Sequence, residues 1–153
     1  MFWIILAIVI CMNENTTTGT IEKVCDGDTV YVKTAAGDSL KVGLYGVDAP
    51  EKNQEFGKDS SEFVSKYSLG KEVLLNKISV DLYGRTVGVI FVMGSEKSLN
   101  EILLEKGMAW HYTAYDRIYK REFTEKENEA KNKMIGLWKF ENPVPPWEFR
   151  KEK

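Results

Sequence analysis

Residues 40 to 51 read L-K-V-G-L-Y-G-V-D-A-P-E, and this stretch narrows the chain's options more than any other. Leu40, Val42 and Leu44 alternate with Lys41, Gly43 and Tyr45, the period of a strand with one face buried. Gly46 and Pro50 then stop the strand and fix a turn. The turn carries Asp48 and Glu51. A rigid turn at a strand end holds such groups in place, where oxygen ligands suit a hard cation and a carboxylate suits a general base. A solvated acidic turn has the same pattern, so by itself the stretch leaves both readings open.

A second acidic turn favours the chemical reading. Residues 25 to 30 read C-D-G-D-T-V between two strand-like runs, so Asp26 and Asp28 flank a glycine at a strand-to-strand turn. A third turn, D-L-Y-G-R at residues 81–85, brings an arginine, whose forked donors suit phosphate oxygens. Carboxylates for a metal, a carboxylate for a base and an arginine for a phosphate are the parts of metal-assisted phosphodiester hydrolysis.

A chain of 153 residues is long enough for one domain with a real core, and no repeat or linker suggests two. We divide it into residues 1–18, an apolar segment and polar tether, and residues 19–150, the folded domain. The net charge of −2 argues against holding nucleic acid by bulk electrostatics. Local positive groups would have to hold a polyanion. The apolar run over residues 1–12 is too short to span a bilayer. It has the length of a signal-peptide apolar region but lacks a preceding Lys or Arg. It predicts a secreted or envelope-attached protein, with residues 1–12 as export signal or membrane anchor. Lipidation at Cys11 is less favoured, because Ile10 stands where an acylation signal has a small residue. Cys25 reads as a small, buried strand-end residue, and two cysteines make no disulfide framework.

Residues 18–45 read as three strands, with a hairpin turn at 35–38. Residues 56–69 read as a helix stopped by Gly70. Residues 72–80 and 86–92 read as two further strands. Ser98 and Glu101 form a capping box for a short helix, and Asp116 is expected to open a longer charged helix that Gly136 ends. The predicted class is α+β, mainly β: a five-stranded Greek-key barrel of the oligonucleotide-binding (OB) type packed with about three helices.

The D-G-D-T of residues 26–29, the G-V-D-A-P-E of 46–51 and the D-L-Y-G-R of 81–85 together resemble the staphylococcal-nuclease-like, or thermonuclease, family. G-M-A-W-H-Y at 107–112, Tyr115, G-L-W at 136–138 and N-P-V-P-P-W at 142–147 extend the resemblance over residues 18–150. The resemblance implies the OB barrel and a calcium-dependent endonuclease acting on DNA and RNA, preferably single-stranded or unpaired, leaving 3′-phosphate ends. It implies calcium held by the Asp28 and Asp48 side chains and the Ala49 carbonyl, with Asp26 orienting a bound water. Glu51 would position or deprotonate the attacking water, and Arg85 would bind the phosphate. Tyr83, Tyr112 and Tyr115 would contact substrate, though Tyr112 and Tyr115 also read as core aromatics. Trp110, Trp138 and Trp147 read as packing residues, His111 as a surface or packing residue, and residues 143–146 as a strap across the barrel. A monomer is expected.

One departure stands out. The family's second catalytic arginine falls at the position of Gly43. Lys41, on the same strand face, is the candidate stand-in, and an arginine placed at position 43 is expected to enter the active-site groove. A slowed enzyme follows. The alternatives are a catalytically weakened nucleic-acid- and calcium-binding OB module tethered at the cell envelope, and an interaction domain with no nucleic-acid role.

Overall fold

The computed structural model describes residues 14–152. Five strands close into a barrel in the order β1-β2-β3-β6-β5: β1 (Thr16–Asp26), β2 (Thr29–Thr34), β3 (Ser39–Leu44), β5 (Glu72–Val80) and β6 (Thr86–Val92). All neighbours run antiparallel except β3 and β6, which pair in parallel through Val42 and Thr86. The alternation read from the sequence is realised: Ile21, Val30, Val32, Val42, Leu75 and Ile90 are wholly buried inside the barrel. Each such side chain contributes roughly 1.5–3 kcal/mol relative to exposure.

Helix α1 (Gly57–Ser68) buries Val64, and α2 (Leu99–Glu105) buries Leu99, Leu103 and Leu104. The Ser98 cap is present, its hydroxyl accepting from the Glu101 N–H at 3.1 Å. Asn100, wholly buried, accepts from the Ile90 N–H at 3.2 Å and donates to the Tyr45 carbonyl at 2.9 Å. A buried amide with both ends satisfied ties elements firmly; this one fixes where the chain leaves β3 and enters the acidic turn. A two-stranded ribbon, β4 (Val47–Asp48) with β7 (Trp110–His111), continues from that turn. α3 (Lys120–Lys133), a 3₁₀ turn (Gly136–Lys139), α4 (Pro146–Phe149) and a last 3₁₀ turn (Arg150–Glu152) complete the chain.

The barrel agrees with the sequence reading, and three details depart from it. β1 begins at Thr16, and Thr16 to Thr18 pair with Asn76, Leu75 and Leu74, so residues placed in the tether belong to the sheet. Their β-branched side chains favour a strand over a loop. The charged helix starts at Lys120, not Asp116, because the Asp116 carboxylate accepts from the Ile118 and Tyr119 N–H groups at 2.9 and 2.8 Å and holds a turn there. It ends on Met134, in the left-handed region at φ 53°, two residues before Gly136. Among the described residues there are four α-helices, the last a single turn, where about three are expected. The signal or anchor reading, Cys11 included, falls on residues outside those described. No helix among the described residues is long and apolar enough to cross a membrane.

Candidate active site

Two acidic turns meet at one end of the barrel because a glycine lets them. A Cβ at Gly27 would lie 2.7 Å from the Cβ of Ala49 and 2.8 Å from that of Ser60, so no other residue seats the β1–β2 turn against the second turn and α1. Asp26 closes the first turn by accepting from the Asp28 N–H at 3.0 Å. Asp28 then crosses to the second turn, accepting from the Ala49 N–H at 2.7 Å. Asp48 is positioned by its strand pairing with Trp110. Glu51 is fixed through Gln54, whose side chain accepts from the Glu51 N–H at 3.0 Å and donates to the Val144 carbonyl at 2.6 Å.

Arg85 joins from the β5–β6 turn. Asp81 organises that turn, accepting from the Tyr83 and Arg85 N–H groups at 2.9 and 3.0 Å and from Arg85 Nε at 2.8 Å. Although burial pushes the Asp81 carboxyl up, these bonds outweigh it and hold the group below its ordinary value. Arg85 Nη1 donates to the Thr29 hydroxyl at 2.9 Å, and that hydroxyl donates to Asp28 at 3.1 Å. The guanidinium lies over Gly43: a Cβ there would stand 2.5 Å from its Cζ. The groove expected to receive an arginine at position 43 is therefore filled by Arg85.

A further arginine arrives from the C-terminus. Arg150 Nη1 and Nη2 donate to the two Asp48 oxygens at 3.1 and 2.7 Å, and Nη1 also donates to Glu51 at 2.8 Å. The strap that carries it is pinned by aromatic rings. Trp147 stacks on Tyr112 with centroids 4.9 Å apart and packs edge-on against Trp110 at 5.7 Å; Trp110 meets Trp138 at 4.5 Å. The tryptophans are packing residues, as expected. His111 is too: it is buried, with Nε2 2.8 Å from Asp116.

Of the other candidates, Tyr112 borders the site. Burial, then Tyr115 and Asp48, push its hydroxyl above the ordinary value. Tyr115 packs against it at 4.6 Å and is exposed, and Tyr83 is exposed at the turn beside Arg85. Lys41 faces the same side as Gly43, opposite Tyr31. It is exposed and makes no hydrogen bond or ion pair with the site among the described residues.

A continuous chain of hydrogen bonds thus runs from Arg85 through Thr29 and Asp28 to the Ala49 backbone, next to Asp48, and on through Arg150 to Glu51. Its charges are unevenly compensated. Burial, then the nearby Asp26 charge, raise the Asp28 carboxyl well above the carboxylate range, and Asp48 adds to this. Hydrogen bonds to Asp48, and then to Glu51, keep Arg150 more firmly protonated than usual. No group of three or more His, Cys, Asp or Glu among the described residues forms a ready-made metal cage. Asp28 and Asp48 lie close enough for the Asp48 charge to raise the Asp28 carboxyl, and both offer oxygen only, Asp48 being already paired with Arg150. That chemistry fits a hard cation and does not fit a soft one.

Thr29 and Arg150 were not singled out by the sequence reading. Thr29 stood inside a quoted motif; Arg150 lies 102 positions from Asp48 and gave no local signal.

Fold and site together define a small barrel protein with paired acidic turns flanked by arginines. The model of the staphylococcal nuclease homologue family matches residues 41–140, and the chain belongs to that family. The staphylococcal-like nuclease CAN1 of Arabidopsis thaliana is 42% identical over 114 residues, 74% of this chain and 34% of that protein. A micrococcal nuclease of Shigella flexneri is 33% identical over 140 residues, covering 87% of this chain and 80% of its own. An uncharacterized endonuclease of Haemophilus influenzae is 35% identical over 144 residues, covering 93% and 77% respectively. The chain spans about a third of the length of the first plant relatives it matches.

Proposed function

We propose that this protein is a calcium-dependent endonuclease that hydrolyses phosphodiester bonds of DNA and RNA, preferably single-stranded or unpaired, to 3′-phosphate ends. The observation that carries this reading is the bonded constellation of Asp28, Asp48, Glu51 and Arg85 at one end of the barrel. Asp28 and Asp48, with the Ala49 carbonyl, would hold calcium, which when bound supplies Lewis-acid stabilisation of the phosphate charge. Glu51 accepts a proton from the attacking water as its oxygen bonds to phosphorus. The bond from phosphorus to the 5′ oxygen breaks, and that oxygen takes a proton from solvent. Arg85 donates to the phosphate oxygens on which charge accumulates. Tyr83, Tyr112 and Tyr115 give sequence-tolerant surfaces for bases and phosphates. As a working context we propose a monomer acting outside the cell or at the envelope, with residues 1–12 as its export or anchoring segment.

The test is degradation of plasmid and of a single-stranded oligonucleotide with calcium and with chelator, followed by analysis of the new ends. Calcium-dependent cleavage to 3′-phosphates is expected, with Glu51→Gln and Arg85→Lys each lowering turnover at least about tenfold. Chelator-resistant cleavage, or full turnover in Glu51→Gln, would defeat the reading.

A further inference from the structure

The barrel supplies one arginine to this site. Gly43 has no side chain to offer, Arg85 already covers it, and Lys41 makes no hydrogen bond or ion pair with the site among the described residues. Asp48 and Glu51 have a cation of their own, Arg150. We propose that Arg150 is a second phosphate-binding arginine of the active site, delivered by the C-terminal strap instead of by the barrel; this rests on the nuclease reading above.

The guanidinium geometry supports that role. A guanidinium has five N–H donors in a fixed plane. Arg150 spends three of them, two on Asp48 end-on and one on Glu51. The two left over, on Nε and Nη2, lie along one edge of the plane and form the side-on fork that matches two oxygens of a phosphate. Its side chain is 42% exposed, so a substrate can reach that edge. A phosphate there would use N–H donors that the carboxylates leave free.

The anchoring supports it as well. Arg150 follows α4 directly, and α4 is held by Trp147 stacked on Tyr112 at 4.9 Å with the planes 2° apart. The strap also accepts the Gln54 amide, which fixes the loop of Glu51. A group placed this firmly needs little reorganisation when charge develops beside it. Asp48 is buried, its side chain 8% exposed, so the pairing also compensates a buried charge.

The experiment uses the full chain carrying Arg150→Ala or Arg150→Lys. Steady-state kinetics are measured on a single-stranded oligonucleotide at saturating calcium, and calcium binding is measured separately by titration calorimetry without substrate. Arg150→Ala is expected to lower kcat at least about tenfold, with a smaller change in KM. It should bind calcium at least as tightly as the natural protein, because a cation competing for Asp48 is gone. Added methylguanidinium should restore part of its turnover and leave the natural protein unaffected. Arg150→Lys should stay near the alanine variant, since an ammonium lacks the fork. Turnover in Arg150→Ala equal to or above the natural protein's would overturn the proposal and leave Arg150 a cover over the carboxylates. So would a kcat loss that methylguanidinium does not touch and that follows a fall in melting temperature, the mark of a brace. If Arg150→Ala does not fold, full turnover in Arg150→Lys overturns the proposal, and a tenfold loss there with an unchanged melting temperature supports it. A natural protein with no calcium-dependent turnover would overturn the nuclease reading and this proposal together; an active one matched by Arg150→Ala overturns this proposal alone.

Discussion

Arg85 rests where a side chain at position 43 would begin, so the two positions exclude each other. A Cβ on Gly43 would stand 2.5 Å from Arg85 Cζ and 2.6 Å from Nε. Even alanine there must push the guanidinium off Asp81 and Thr29. The guanidinium is the far end of a flexible side chain, so the fold should absorb the change. Gly43→Ala is therefore expected to leave the melting temperature nearly unchanged while lowering kcat at least about tenfold, the scale of a displaced charge stabiliser. Gly43→Arg should likewise bring no gain. Unchanged turnover in Gly43→Ala would show that Arg85 works from another position. Asp28, Asp48, Glu51 and Arg85 were legible in the sequence because each sits in a short turn whose glycine or proline declares it. That Arg85 would lie on Gly43 was not legible, since strand alternation gives the face of a residue but not what the β5–β6 turn lays across it.

At the scale of elements, strands declared themselves and short tertiary pieces did not. β5 and β6 match their expected bounds because alternation over seven or more residues is a strong signal. β4 and β7, two residues each, have no period to read. α3 was placed too early because Asp116 looks like a helix start. In fact it is wholly buried, and its carboxylate braces the approach to the helix while facing His111. Burial alone would raise its carboxyl. The Tyr119 N–H, His111 and the Ile118 N–H outweigh burial and hold it below the ordinary value. With the folded value depressed, its contribution is present above the unfolded value of about 3.9 and is lost as pH falls through the folded value. Asp116→Ala also strands buried donors, so it should cost about 3 kcal/mol at pH 7. Urea melts from pH 7 downward should show a constant gap between this variant and the natural protein until about pH 4, then a narrowing one. A gap that stays fixed at pH 3 would mean that shape, and not charge, is what Asp116 supplies.

Across the whole molecule, positive charge is sparse but concentrated. The chain carries 21 Lys and Arg against 23 Asp and Glu, so there is no basic field to gather a polyanion from a distance. What the site offers is Arg85, Arg150 and, on the neighbouring exposed strand face, Lys41, with Tyr112 and Tyr115 beside them. Each phosphate neutralised on a single strand contributes a slope of about 0.7 to the dependence of log affinity on log salt. Two or three contacts therefore predict that log KM for a single-stranded oligonucleotide rises with log salt with a slope of about 2. Stacking on tyrosines would supply the salt-independent remainder. The measurement is KM at fixed saturating calcium while potassium chloride is varied. Arg85→Ala and Arg150→Ala should each flatten the slope by about 0.7, whereas Lys33, exposed at the far end of β2 from Thr29, should leave it unchanged when replaced by alanine. A slope of about 5 or more in the natural protein would require phosphate contacts well beyond these groups and would defeat the prediction.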